Sequence, residues 1–282
     1  MKKSIKTFLK HPTKDSSNRS ANPAVIRAST ILFNSMQELY QHEKKIKKHQ
    51  KISHYSYGRY GSSTTIELEN ILKELEQAFH VFLTGTGFGG VALAIMSLCR
   101  PGDEILVSDN VYGPTKEISE KLLKEFNVMA KFYNPDSFED LKSKVSKKTK
   151  MILVENPGSI TFEFQDLSKI VNLAKKKKIY TLLDNTWGTP LYLQPLKLGF
   201  DMSFSSATKY FSGHSDAMGG SLAVNKQVFK KVMFFYKLSG YRMSADEAYL
   251  IIRGLRTLDT RLKQHYESTK KVINFLQKQK KN

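Results

Sequence analysis

The sequence is short of cysteine: Cys99 is the only one in 282 residues. A lone cysteine excludes an internal disulfide, and its apolar surroundings predict a buried small hydrophobe in a reducing cytoplasm. Long apolar runs are absent too. None reaches the roughly 20 residues that a bilayer-spanning helix needs, so no membrane partner is expected. The opening MKKSIKTFLKHPTKDSS is basic but lacks the apolar stretch of a secretory signal. Acidic residues are scarce, 26 against 45 Lys and Arg, for a net charge of +19. Such an excess raises nucleic acid or an anionic membrane surface as partners. The placement of the lysines argues otherwise. Lys44, Lys45, Lys47, Lys48, Lys175 to Lys178, Lys278, Lys280 and Lys281 fall on predicted helix faces and ends, without interleaved aromatics. Lysine also dominates over the arginine that specific nucleic-acid sites favour. The expectation is a solvated basic surface and no nucleic-acid partner.

What is present is ordinary for a soluble globular chain: 40% hydrophobic and 25% charged residues, enough for a substantial core. Residues 1–55 read as an arm without a core of its own. TTIELENILKELEQAF then places Ile66, Ile71, Leu72, Leu75 and Phe79 at helical spacing. Short apolar runs bounded by turn residues predict buried strands at 104–108, 151–155, 179–184 and 201–206. Amphipathic helices lie between them, at 115–126 and in segments opening at Ser137 and Asp166. Strand and helix in alternation predict an α/β fold with a mostly parallel sheet and helices on both faces. In such sheets a ligand sits beyond the carboxyl ends of the strands, where Glu155, Asp184, Asn185 and Ser206 fall. From 246 to 282 the pattern becomes a long helical stretch.

Five local features bear on chemistry. LTGTGFGGVALAIM carries four glycines just before a small-residue helix, whose bare N–H groups suit an anion, though a tight turn explains the glycines equally well. No GK[ST] follows, and no early strand is expected to lead in, so neither nucleotide fingerprint applies. Asp184 ends a buried strand in LLDNTWGTP, a costly place for a carboxylate unless it is paired; a protonated heterocyclic nitrogen or a loop hydrogen bond would serve. Ser206, Thr208 and Lys209 form an S-x-T-K run after another strand. Two hydroxyls there can donate to a phosphate, and a desolvated lysine is the usual imine former, whereas a lone lysine after a strand is ordinarily a solvated loop end. His214 and Asp216 follow in a glycine-bounded loop. Tyr112 sits on the loop after the 104–108 strand, and Tyr57 and Arg59 precede the first regular helix; singly, these read as packing and surface.

Together, an anion-binding glycine loop, a stacking tyrosine, a buried carboxylate and a lysine are the parts that pyridoxal 5'-phosphate (PLP) needs. YGRYG, DNTW, ATKY-x-x-GHSDAM, RGLRTL and ENPGSIT resemble the trans-sulfuration branch of PLP enzymes, closest to bacterial cystathionine β-lyases. The resemblance runs from about Asn22 to the end of the chain and implies a fold-type I, PLP-dependent transferase-like architecture. It implies that Lys209 carries PLP and later moves the substrate's Cα proton, that Asp184 pairs with the ring nitrogen, and that Tyr112 stacks on the ring. The backbone at Gly87 and Phe88, with the Ser206 and Thr208 hydroxyls, is expected to hold the phosphate. Tyr57 and Arg59 match residues that reach a neighbouring subunit's site, implying a homo-oligomer, dimer or tetramer.

The implied reaction is β-elimination on a sulfur amino acid, cystathionine giving homocysteine, pyruvate and ammonia. Family γ-synthases, γ-lyases and methionine γ-lyases are the alternatives. Tyr57-Gly58-Arg59 and Ser159 in ENPGS depart from their usual pattern. Alanine racemisation is another alternative, since it needs the same proton removal. The family continues into a C-terminal domain that carries the arginine for the substrate carboxylate, and Arg253, Arg256 and Arg261 precede that domain. A truncated, catalytically impaired chain that only binds PLP or oligomerises is therefore also expected as a reading. The expected parts are an arm to 55, a PLP-binding domain over 56–245, and a helical start of the further domain over 246–282.

Overall fold

The computed structural model describes residues 4–10, 21–47 and 55–279; Lys48, Lys280, Lys281 and parts of the basic opening lie outside them. In chain order come α1 (Ile5–Lys10), α2 (Met36–Lys47), α3 (Ser63–Glu76), β1 (His80–Thr84), α4 (Gly87–Leu98), β2 (Glu104–Ser108) and α5 (Gly113–Glu117). A π-helical turn, Ile118–Leu122, joins α5 to α6 (Leu123–Glu125), and β3 (Met129–Tyr133), α7 (Phe138–Lys144) and β4 (Thr149–Glu155) follow. The remainder comprises α8 (Leu167–Lys177), β5 (Tyr180–Asp184), α9 (Thr189–Tyr192), α10 (Pro195–Leu198), β6 (Met202–Ser206), β7 (Gly220–Val224), α11 (Lys226–Ser239), α12 (Ala245–Leu255) and α13 (Leu258–Gln277).

The strands form one sheet in the order β1-β7-β6-β5-β4-β2-β3. Pairings among β3, β2, β4, β5 and β6 are parallel, while β7 runs antiparallel to both its neighbours. The mostly parallel sheet expected from the sequence is therefore present. Both of its faces are dry. Met151 and Leu153 of β4 pack with α4 and α11 on one side, while Ile152 and Val154 pack with α7 and α8 on the other. Apolar residues are needed on both pleats of a strand buried this way, which is why these strands read as unbroken apolar runs. Local chemistry starts the helices as expected: Ser137 Oγ accepts from the Asp140 N–H at 3.1 Å, and Asp166 Oδ1 from the Lys169 N–H at 3.0 Å. Cys99 is buried, and burial pushes its thiol up to about 12, so it is an inert hydrophobe.

Three strands were not expected. The correction that matters is β1, because it runs directly into the glycine loop, which was expected to have no strand before it. Gln77 takes a left-handed conformation (φ 50°) and ends α3 at Glu76, so Phe79 lies beyond the helix rather than on its face. An apolar pattern that continues straight through this stop hides the change from helix to strand. Among the others, β3 is an edge strand and β7 is built of small residues, Gly-Ser-Leu-Ala-Val.

Neither expected boundary is a break in packing. Leu9 of the arm, α3, α12 and Leu258 and Leu262 of α13 share one apolar cluster. Arm residues also bond to the body: Thr64 Oγ1 donates to Ala24 O and accepts from the Ile26 N–H, and Arg27 pairs with Asp246.

Glu76 is buried in this layer, both carboxyl oxygens lacking a hydrogen-bond partner among the described residues. Burial pushes its carboxyl up to about 8, partly offset by the nearby Ser203 hydroxyl. A folded value above the unfolded one means that stability is full below the unfolded value and is lost as pH rises through about 8. The unfolding free energy read from urea titrations therefore falls between about pH 5 and about pH 8, and Glu76→Gln shrinks that fall by on the order of 2 kcal/mol. Equal pH slopes for the two proteins would sink this account.

Candidate active site

Because β7 is antiparallel to both neighbours, β1 runs the same way as β6 and the other parallel strands. Thr84, Ser108, Glu155, Asp184 and Ser206 thus end their strands along one edge of the sheet. At the β1 end the chain turns through Gly85 and Thr86 into α4. Thr86 Oγ1 accepts from the Gly89 N–H at 3.1 Å, which leaves the Gly87 and Phe88 N–H groups as first-turn donors. A Cβ at Gly87 would stand 2.5 Å from Ser206 Oγ, so only glycine lets this backbone close on the end of β6. A hydroxyl beside two free helix N-terminal donors is an anion cradle. The Phe88 ring is part-exposed, so its bulk lies clear of the cradle's backbone.

Hydrogen bonds run from the cradle to the carboxylate. The Ser206 N–H donates to Thr186 Oγ1 at 2.9 Å, and the Thr186 N–H donates to Asp184 Oδ1 at 3.0 Å. Burial pushes the Asp184 carboxyl up to about 6, and the Thr186 bonds oppose it. Its partner across the β4–β5 ladder is Glu155, which burial and then the Asp184 charge push up to about 8. Glu155 Oε2 accepts from the Tyr112 N–H at 2.7 Å, which fixes the half-exposed Tyr112 at the start of α5. A desolvated carboxylate with no cation beside it among the described residues, hydrogen-bonded through Thr186 to a residue of an anion cradle, fits a planar protonated heterocycle that bears a phosphate.

Lys209 lies in the turn after β6, its N–H bonded to Ser206 O at 3.1 Å, and its side chain is exposed rather than walled as the sequence suggests. Thr208 Oγ1 accepts from the Gly219 N–H at 3.1 Å and donates to Gly219 O at 3.3 Å, so its hydroxyl closes the neck of the 208–219 loop. Arg261 ties that loop down: Nη2 donates to Tyr210 O at 2.7 Å and to Gly254 O at 2.9 Å. Arg256 is likewise engaged, by Ala21 O and Asn22 Oδ1, whereas Arg253 is exposed. His214 and Asp216 are exposed on the loop.

Tyr57 and Arg59 are not brought to this edge by any contact described. Arg59 donates to Lys237 O at 3.4 Å and stacks over Tyr60 at 4.9 Å, and Tyr57 bridges to Thr30. Sequence reasoning missed the parts played by Thr86, Thr186, Glu155 and Arg261. The same test that singled out Asp184, a carboxylate at a buried strand end, applies to Glu155. Thr186 and Thr86 act through hydroxyl bonds to nearby backbone, which carry no distinctive spacing.

Residues 6–282 match the family described as Cys/Met metabolism PLP-dependent enzyme. The chain is 34% identical over 281 residues to a cystathionine beta-lyase of Bordetella avium, covering 98% of this chain and 70% of that protein. It is 33% identical over 267 residues to an L-alanine/L-glutamate racemase of Wolbachia pipientis, covering 93% of this chain and 66% of that one. The solved cystathionine gamma synthase of Xanthomonas oryzae pv. oryzae, in complex with aminoacrylate and cysteine, has a TM-score of 0.90 at 26% identity, with 99% of this chain and 70% of that one covered. Across curated relatives the chain spans 60% to 71% of their length.

The Lys209 turn depends on a close approach of α12. A Cβ at Gly254 would stand 2.2 Å from both Phe211 O and Ser212 O. Gly254→Ala should therefore destabilise the chain by about 1–3 kcal/mol, read as a lower urea midpoint. Limited proteolysis should cut the 208–219 segment faster than in the parent; unchanged cleavage and midpoint would refute the tight packing.

Proposed function

Since the chain belongs to the Cys/Met metabolism family of PLP-dependent enzymes, with PLP as its cofactor, we propose that it cleaves a C–S bond of a sulfur amino acid by β-elimination. The substrate this reading favours is cystathionine, giving homocysteine, pyruvate and ammonia. The observation that carries it is Asp184, a buried carboxylate without a cation among the described residues, hydrogen-bonded through Thr186 to Ser206, against which the glycine turn at Gly87 closely packs. The preference for β-lyase over other family chemistries rests on Tyr57-Gly58-Arg59, on Ser159, and on relatives at 32% to 34% identity that carry the β-lyase name.

When bound, PLP supplies a protonated heterocycle that accepts the electron pair left at the substrate's Cα. Asp184 would hold the proton on the ring nitrogen, its negative charge stabilising the positive nitrogen. The Lys209 amine would hold the cofactor and is the base placed to take the Cα proton. Tyr112 would cover the ring. Gly87 and Phe88 N–H groups with Ser206 Oγ bind the phosphate, and Thr208 shapes the loop beside it. Tyr57 and Arg59 serve a neighbouring copy's site, which makes the working form a homo-oligomer.

Two further readings have specific support. The racemase relative favours return of the proton to Cα in place of thiol loss, with the same residues. A PLP-binding but catalytically impaired chain is favoured by Arg256 and Arg261, whose guanidinium groups are engaged by protein oxygens and not free for a substrate carboxylate.

Borohydride reduction in the presence of PLP, followed by peptide mass mapping, should place the pyridoxyl group on Lys209, and Lys209→Ala should abolish it. Label elsewhere on a folded chain would overturn the reading. Asp184→Asn should lower pyruvate release from cystathionine by about 100-fold or more. Labelled Lys209 without pyruvate favours the impaired chain, and loss of optical activity from L-alanine favours the racemase.

A further inference from the structure

Glu155 has no role in the reading just given, yet it is buried at the same edge of the sheet and touches two of the residues named there. Its carboxyl accepts the Tyr112 N–H at 2.7 Å, and across the β4–β5 ladder it stands opposite Asp184. We propose that Glu155 is a positioning residue of the cofactor site, whose carboxyl fixes the Tyr112 ring over the cofactor from the strand that flanks Asp184. The inference rests on the PLP reading above.

Three observations support it. Tyr112 is the N-cap of α5: its carbonyl accepts from the Thr115 and Lys116 N–H groups within the helix at 2.8 and 3.1 Å, while its own N–H, which lies before the helical ladder, is held by Glu155. The Glu155 main chain is itself held, because Gln165 Nε2 donates to its carbonyl at 3.2 Å. Gln165 is bonded in turn to Ser108 Oγ at the end of β2, so Glu155 is anchored from both neighbouring segments. Charge decides the form of the group. The charged neighbour is Asp184 of β5; Tyr112 presents its N–H, and Gln165 and Ser108 are neutral. Two adjacent buried carboxylates repel, which favours one negative charge shared by the pair, and burial and the Asp184 charge both push the Glu155 carboxyl up. The pair then carries a single negative charge on Asp184, facing the cofactor, while Glu155 acts through its acceptor oxygen.

That division of labour separates three variants of the full chain, each measured with PLP. Glu155→Gln keeps a neutral acceptor for the Tyr112 N–H, and its PLP affinity and the induced circular dichroism of the bound cofactor should stay within about twofold of the parent. Glu155→Ala removes the acceptor and should weaken PLP binding roughly fivefold to thirtyfold, with diminished induced dichroism and an unchanged far-ultraviolet spectrum. Glu155→Asp withdraws the carboxyl by one methylene and should behave as Glu155→Ala, which keeps the test open if the alanine variant does not fold. Parent-like affinity and dichroism in the alanine or aspartate variant would overturn the proposal. So would a glutamine variant as weak as the alanine one, because that result assigns Glu155 a charge role. A parent chain that takes up no PLP on Lys209 overturns the PLP reading, and this inference with it.

Discussion

A carboxylate buried at the end of a central strand is the constraint on which the rest of this molecule turns. Asp184 is desolvated by the sheet on either side and by the layers that pack against it, so its ionised form is costly until a cation arrives. The Thr186 bonds lower that cost only in part. The remaining cost favours any ligand that brings a positive ring nitrogen to this place, and the cradle at the N-terminus of α4 favours one that also brings an anion. Two opposite preferences, held apart by a rigid strand edge, select for a zwitterionic heterocycle far better than either does alone.

Keeping these groups in place is a packing problem, solved by close backbone contact. Gly87 lets the start of α4 lie against Ser206, and Gly254 lets α12 lie against the carbonyls that follow Lys209. Arg261 then spans the gap between helix and loop with two carbonyl bonds. Its guanidinium is half-buried, and burial lowers its proton affinity, a cost tolerated because the bonds hold the segment that carries the lysine. The helices after residue 245 therefore support the site as much as they extend beyond it.

Much of this was legible in the sequence, for identifiable reasons. The strands β2, β4 and β5 announce themselves because burial on both faces leaves mostly apolar residues, β6 is marked only by Met202 and Phe204 between serines, and Ser137 and Asp166 announce their helices by capping chemistry. Lys209, Asp184 and Tyr112 were singled out because motifs of fixed spacing carry them. β1 was hidden because a left-handed Gln77 ends α3 inside an apolar pattern that gives no sign of stopping. Glu155 and Arg261 escaped because what matters about each is a partner distant in sequence: Tyr112 is 43 residues from one, and Tyr210 is 51 from the other. Composition cannot reveal such pairs, and strand order alone brings them together.

The antiparallel insertion of β7 between β1 and β6 has a consequence for how the chain acquires its site during synthesis. β1 spans residues 80–84, and the strand it pairs with spans 220–224. Closing so long a loop is slow and entropically costly. The glycine turn after β1 leaves a ribosome early, but nothing holds it against Ser206 until β6 and β7 have emerged and paired. The anion cradle thus comes into being as a late event of folding. For most of elongation the Gly87 and Phe88 donors and the Ser206 hydroxyl are therefore apart, and they meet only once β7 has paired with β1 and β6.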